Sequence, residues 1–272
     1  MDGNKKAAKM LLLLGADGKQ KSRDGNTALT FSIAFNHGKF SEFILPYSDI
    51  NSRDEDDDTA LMFAAWRDQD ALVSEMIAYG ADVNSRSRHG STALWNAVYR
   101  SSRDSVLVLL QNNADMGIRC EGTHLFLTPT DSMEEGEIKK IYPGHRRSLL
   151  WVAAEMAMNV KTRAKSLAII SLLLQAGYDV TGDHWIKRIR DPNVSSSDVP
   201  MRFRDDNSLA RLLMYFYNRP LQLRDICRNK LRKLHQSCTL RHRVPYAQWV
   251  SEAGLGNRCL RDFVCLLYLD DT

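Results

Sequence analysis

The chain contains no long apolar run near its start: Met10 to Leu14 is the longest there. Such a run is far too short to span a bilayer or to form the core of a signal peptide. Cysteine is also scarce. Five cysteines in 272 residues, odd in number and widely spaced, do not make a disulfide framework, and the expectation is an intracellular protein of the cytoplasm or nucleus. No Ser-His-Asp order, paired catalytic acids or phosphate loop stands out, so no catalytic residues and no cofactor are expected. His235, Cys238 and His242 lack the paired spacing of a zinc site, and no metal is assigned to them. Gly254 and Gly256 with Cys259 lack both the last glycine of a dinucleotide loop and a preceding βαβ unit, and they read as a turn.

What the sequence does contain is a repeat. Asn26-Thr27-Ala28-Leu29 returns as Asp58-Thr59-Ala60-Leu61 and again as Ser91-Thr92-Ala93-Leu94. A second phrase keeps step with the first: Ser48-Asp49-Ile50-Asn51, Gly80-Ala81-Asp82-Val83-Asn84 and Asn113-Ala114-Asp115-Met116. The aspartates at 17, 49, 82 and 115 step by 32, 33 and 33. Two unlike phrases held in phase indicate an all-α solenoid with two short helices and a turn per unit.

Taken in order, residues 7–17 form the second half of a unit, with Gly15 closing a helix whose leucines are expected to bury against the next helix pair. Thr27 is placed to cap the first helix of the following unit. Ser32, Ala64-Ala65 and Ala97 recur where inner helices must approach closely. The buried set of the second unit is Leu61, Ala64, Leu72, Val73, Met76 and Ile77; that of the third is Leu94, Ala97, Val106, Leu109 and Leu110. The period breaks at residues 117–147, a surface insertion between units with a short helix expected after Ser132. It resumes at Ser148, and the stretch to Asp179 exceeds Thr59–Asp82 by eight residues, about one extra helical segment. Residues 181–207 read as irregular, and Ser208 to Tyr217 as a closing helix. The ankyrin-like part is thus bounded at 1–217 and a separate tail at 218–272.

The repeats resemble ankyrin repeats: a threonine turn, a small-residue inner helix, a longer outer helix and a Gly-Ala-Asp-x-Asn close. In the tail, Leu223, Cys227 and Leu231 follow at intervals of four after Pro220-Leu221-Gln222, and Val244-Pro245-Tyr246-Ala247 comes later. This tail resembles a SOCS box, and the whole chain is similar to the ankyrin repeat and SOCS box family. The resemblance implies binding of the elongin B–elongin C pair through Leu223, Ile226, Cys227 and Leu231. It implies cullin-5 binding through Val244, Pro245 and Tyr246, with valine and Ala247 standing where the family has leucine and a second proline. The implied function is substrate recognition for an elongin-cullin-RING ubiquitin ligase, with the repeats holding an unidentified protein substrate.

Other readings stand beside these. Cys227 lies in the apolar stripe of a helix and reads as a packing residue rather than a nucleophile. Asp54 to Asp58 is a run of five acids without EF-hand spacing, which reads as a solvated turn or as a contact for a basic segment. Arg219 to Arg243 holds eight Lys or Arg against one acid, which would suit nucleic acid. The embedded apolar stripe and the lack of interleaved aromatics in that helix argue against it. A plain ankyrin scaffold without a ligase link is the remaining alternative. For the substrate surface, Ala34-Phe35, Trp66-Arg67 and Tyr99-Arg100 follow the inner small residues. Phe35, Trp66, Arg67, Tyr99 and Arg100 are therefore candidate contacts, with Trp66 and Tyr99 equally readable as the end of the core.

Overall fold

The computed structural model describes residues 2–120, 147–157, 159–189 and 207–218. A first helix, α1 (Asp2–Leu13), precedes three helix pairs: α2 (Ala28–Ala34) with α3 (Gly38–Ile44), α4 (Ala60–Trp66) with α5 (Asp70–Ala78), and α6 (Ala93–Tyr99) with α7 (Arg103–Gln111). A two-stranded ribbon of β1 (Arg119–Cys120) and β2 (Arg147–Ser148) leads into a fourth pair, α8 (Leu149–Met156) and α9 (Arg163–Gln175). A 3₁₀ turn at Val180–Gly182, the short α10 (Trp185–Arg188) and α11 (Asn207–Asn218) follow. Inner helices α2, α4, α6 and α8 pack in one row, and outer helices α3, α5, α7 and α9 in a second. One continuous core runs between the rows. Ser32, Ala64, Ala65 and Ala97 are buried within it, where only small side chains let the inner helices approach.

Much of the local chemistry recurs from unit to unit. Thr27 accepts from the amide of Thr30 and Thr30 Oγ1 accepts from that of Thr27, a reciprocal capping box. Thr92 and Ser148 cap α6 and α8 by accepting from the amides of Trp95 and Trp151. Thr59 makes no such cap bond. The in-phase aspartates fold the turn after each outer helix: Asp17, Asp49, Asp82, Asp115 and Asp179 each accept from the amide two residues on. The asparagine closing the phrase reaches the next unit. Asn51 donates to Gly80 O and accepts from Asp82 N, at 3.1 and 2.8 Å. Asn84 does the same to Asn113 O and Asp115 N, at 3.3 and 2.7 Å. One amide side chain thereby satisfies a carbonyl and an N–H of its neighbour.

Several expectations need correction. Residues 117–120 and 147 do not belong to the insertion: Arg119 pairs with Ser148 and Cys120 with Arg147, the place where Lys21 meets Thr27 and Arg53 meets Thr59 in earlier units. The intervening segment therefore leaves and re-enters through the hairpin of the fourth unit rather than between units. The helix expected after Ser132 lies outside the described residues. The eight additional residues of the fourth unit do not form a separate helix. Its inner helix has 8 residues against 7, its outer helix 13 against 9, and its connection, 157–162, is correspondingly longer than 67–69. The irregular stretch holds a 3₁₀ turn and α10 before the undescribed part, and the closing helix is α11. Of the apolar run expected to bury, Met10, Leu11, Leu13 and Leu14 are exposed and Leu12 is half-buried.

Replacing Asn84 by alanine leaves a carbonyl and an amide of the third unit without their partner. We expect a loss of about 1–2 kcal/mol. Urea melts followed by circular dichroism check this, with a broadened transition as the units uncouple.

Candidate protein-binding surface

Each inner helix ends in the same way. Asn36, Asp68 and Ser101 follow the C-caps Phe35, Arg67 and Arg100 with φ of 59°, 58° and 57°. The left-handed residue turns the chain sharply into the outer helix, so side chains at the cap positions are presented at a constant interval. Gln69 Nε2 donates to Asn36 Oδ1 at 2.6 Å and ties two successive ends together.

The structure brings Trp66, Tyr99 and Arg100 into one stack. The two rings lie 5.4 Å apart at 14°, and the Arg100 guanidinium sits 5.2 Å from the Trp66 centroid. Trp66 is 3 % exposed, so its ring is covered by the next unit rather than offered to a partner. Tyr99, Arg67 and Arg100 are half-buried, and Phe35 is exposed. The two arginines recur one unit apart on rigid helix ends, a spacing suited to carboxylates on a partner.

The hairpin tips lie at the opposite, N-terminal ends of the inner helices. Glu55 N donates to Asp24 O and Arg88 N to Asp56 O, so each tip hydrogen-bonds to the one before. Arg88 also donates to Glu55 O and pairs with Asp56 at 3.5 Å. The run Asp54–Asp58 is only partly a solvated turn. Asp54 Oδ1 accepts from the amides of Asp56 and Asp58 at 3.0 and 2.8 Å, and both Asp54 and Asp58 are buried. Burial, then the charges of Asp54, Asp56 and Asp57, push the Asp58 carboxyl up to about 7. Burial likewise raises Asp54, against the two amides that favour its charged form.

Three features were not found from the sequence. Asp57, at φ 61°, occupies the turn position that Gly25 and Gly90 hold in the flanking units. Lys21, Arg53, Arg86 and Arg119 form a basic column. Lys21 donates to Arg53 O, Arg53 to Arg86 O and Arg119 to Gly182 O, while Arg86 pairs with Asp115. Their spacing of 32, 33 and 33 was a legible signal. The third is a buried carboxyl, Asp183, which accepts from Tyr178 Oη at 2.8 Å with Arg119 at 3.8 Å. Burial raises its pKa, opposed by Ser148, Tyr178, Arg119 and Trp185. It joins both strands of the ribbon to the turn after α9, and nothing in its sequence neighbourhood announces that contact.

The residues assigned to elongin contact, Leu223, Ile226, Cys227 and Leu231, and to cullin contact, Val244, Pro245 and Tyr246, lie outside the described residues. Among the described residues no group of three His, Cys, Asp or Glu side chains could hold a metal ion. Among them, too, no helix is long and apolar enough to cross a membrane. The family model for ankyrin repeats in three copies matches residues 1–87 and 48–120, which establishes this part of the chain as ankyrin repeats. No SOCS box model matches the tail. No curated protein matches the chain.

Because the folded state favours protonated Asp58, the stability tied to that proton is complete below the ordinary carboxyl range. It is lost as pH rises through about 7. Asp58→Asn, the amide that Asn26 supplies one unit earlier, is expected to stabilise the protein by roughly 2 kcal/mol at pH 8. The gain should shrink toward pH 5 in denaturant titrations repeated across that range.

Proposed function

We propose that this ankyrin-repeat chain is a non-catalytic protein-binding scaffold, its partner held by the inner-helix ends and the hairpin tips. The supporting observation is the pair Arg67 and Arg100, set one repeat apart on left-handed helix terminations and backed by the Trp66–Tyr99 stack. A pre-ordered pair of this kind loses little side-chain freedom on binding. The acidic tip at Glu55 to Asp57 adds the opposite charge at the other end of α4, so the partner carries both signs in a set order. Phe35 and Tyr99, at the same helix ends as the arginines, supply apolar contact.

Reversal of both charges, Arg67→Glu with Arg100→Glu, should reduce recovery of captured partners at least about tenfold, since like charges now oppose across the contact. The melting temperature should change by only a few degrees. Quantitative affinity capture from source cells, paired with a thermal melt, reads both. Equal recovery by the variant would move the partner off this surface.

A second reading is favoured by the tail. Leu223, Ile226, Cys227 and Leu231 share one helical stripe after an ankyrin array, as in a SOCS box, and Val244-Pro245-Tyr246 follows at the distance of a cullin segment. On this reading the scaffold delivers its partner to an elongin B–elongin C and cullin-5 ubiquitin ligase. Leu223→Asp places a charge in an apolar contact, which costs several kcal/mol. It should abolish co-purification with elongin B–elongin C while the repeats remain folded. Absence of elongin from the wild-type complex, with partners still captured, leaves the scaffold alone. Salt-sensitive retention on random duplex DNA by the tail would instead favour a nucleic-acid role.

A further inference from the structure

The second hairpin tip differs from its neighbours at two positions whose side chains meet. All three tips close alike. Ser22 N donates to Asn26 O, Asp54 N to Asp58 O and Ser87 N to Ser91 O, at 2.7, 3.1 and 2.9 Å. Gly25, Asp57 and Gly90 turn them with φ of 76°, 61° and 82°. The first side chain of each tip accepts from the amide four residues on: Ser22 from Asn26 at 3.2 Å, Asp54 from Asp58 at 2.8 Å and Ser87 from Ser91 at 3.1 Å. In the third tip the two side chains touch, Ser87 Oγ lying 2.7 Å from Ser91 Oγ. The matching pair in the second tip is Asp54 with Asp58.

Two charged carboxylates in that arrangement repel each other away from water. Asp54 is 8 % exposed and Asp58 2 %. One oxygen of each, Asp54 Oδ2 and Asp58 Oδ1, is buried without a hydrogen-bond partner among the described residues. A proton between the carboxyls gives both oxygens a partner at once. The amides of Asp56 and Asp58 on Asp54 Oδ1 favour charge there, which makes Asp58 the member that carries the proton. The surroundings do not supply a counter-charge. Asp56 and Asp57 add negative charge, Arg88 is turned to Asp56 and Glu55 O, and Arg53 donates to Arg86 O and Ser85. The first tip brings Arg23 and Asp24 and the third His89, while α2 and α4 carry no ionisable side chain.

We infer that Asp54 and Asp58 share a single proton and act as a pH-gated clasp on the second hairpin tip. While the proton is held the tip is closed, with Glu55 N donating to Asp24 O and Asp56 O accepting from Arg88 N. Its loss leaves two buried charges side by side and releases Glu55–Asp57 from both neighbouring tips. The helices stay stacked through their own core and the asparagine bridges. Burial, then the charges of Asp54, Asp56 and Asp57, hold the Asp58 carboxyl at about 7, so release runs through the neutral range. The clasp goes beyond the proposed partner surface and stands without it.

Carbon-13 NMR of the full-length chain, with aspartate labelled at Cγ, reads the pair directly. One aspartate carboxyl should titrate near neutral pH and vanish in Asp58→Asn. The deciding variant is Asp54→Ser, which keeps the amide acceptor that Ser22 and Ser87 supply in the flanking tips. In it Asp58 should titrate at least about one pH unit lower, since a hydroxyl donor replaces a competing carboxyl. Asp58 titrating there as in the wild type is a singly buried acid, and overturns the inference. So does a wild type in which no aspartate titrates above the ordinary carboxyl range. Hydrogen–deuterium exchange, corrected for the intrinsic effect of pH, reads the release. Protection of residues 54–58 should fall about tenfold between about pH 6 and pH 8 in the wild type and stay level in Asp54→Ser. Equal protection of the wild type at both pH values removes the clasp. A melting temperature within a few degrees of wild type at the lower pH verifies the fold of each variant.

Discussion

The contact on which this architecture depends is the amide bridge between successive turns. A single unit has two helices of 7 to 13 residues and cannot bury its own apolar face. It must stack, and stacking brings the turn backbone of one unit against the next, exposed at Gly80 and Asp82, buried at Asn113 and partly buried at Asp115. Asn51 and Asn84 each satisfy one of both kinds in the following unit. An amide side chain, donor and acceptor on one carbon, does this at a single position, which explains its return at the end of the repeated phrase. The bridge stops at Gly117, which stands where the next asparagine is due. From there Arg119, Tyr178 and Asp183 take over the junction with a buried carboxyl and a long cation.

Constant termination geometry has a second effect. Because the left-handed residues after α2, α4 and α6 share nearly one φ, the residues before them differ in chemistry and not in placement. Phe35, Arg67 and Arg100 thus vary on an invariant frame, the condition under which a solenoid surface can recognise a partner without altering its core. The Trp66–Tyr99 stack serves frame and surface together. Its buried ring holds the register of two units, and its outer ring and Arg100 meet solvent. The alternatives of core and contact at these positions resolve differently for the two rings.

The acidic hairpin shows a cost accepted within the same frame. Asp54 must accept two amides to shape the tip, and Asp58 must precede the helix, so two carboxyls are buried close together. Asp57 adds a left-handed conformation that glycine adopts more easily. A tip that is polar, charged and mildly strained is tolerated because its neighbours on both sides hydrogen-bond to it.

The sequence alone determined the unit length, the order of inner and outer helices, the buried sets of the second and third units and the phase of the turn aspartates. Each of these follows from local periodicity or from contacts two to four residues apart, which a single repeat already encodes. The tertiary structure decided what depends on neighbouring units. It buried Trp66 while leaving Tyr99 and Arg100 at the surface, since a neighbour's ring covers one and not the other. It placed the long insertion inside a hairpin, because the pairing of Arg119 with Ser148 joins positions 29 residues apart. It also exposed Leu11, which the sequence reads as part of a leucine run buried against the next helix pair.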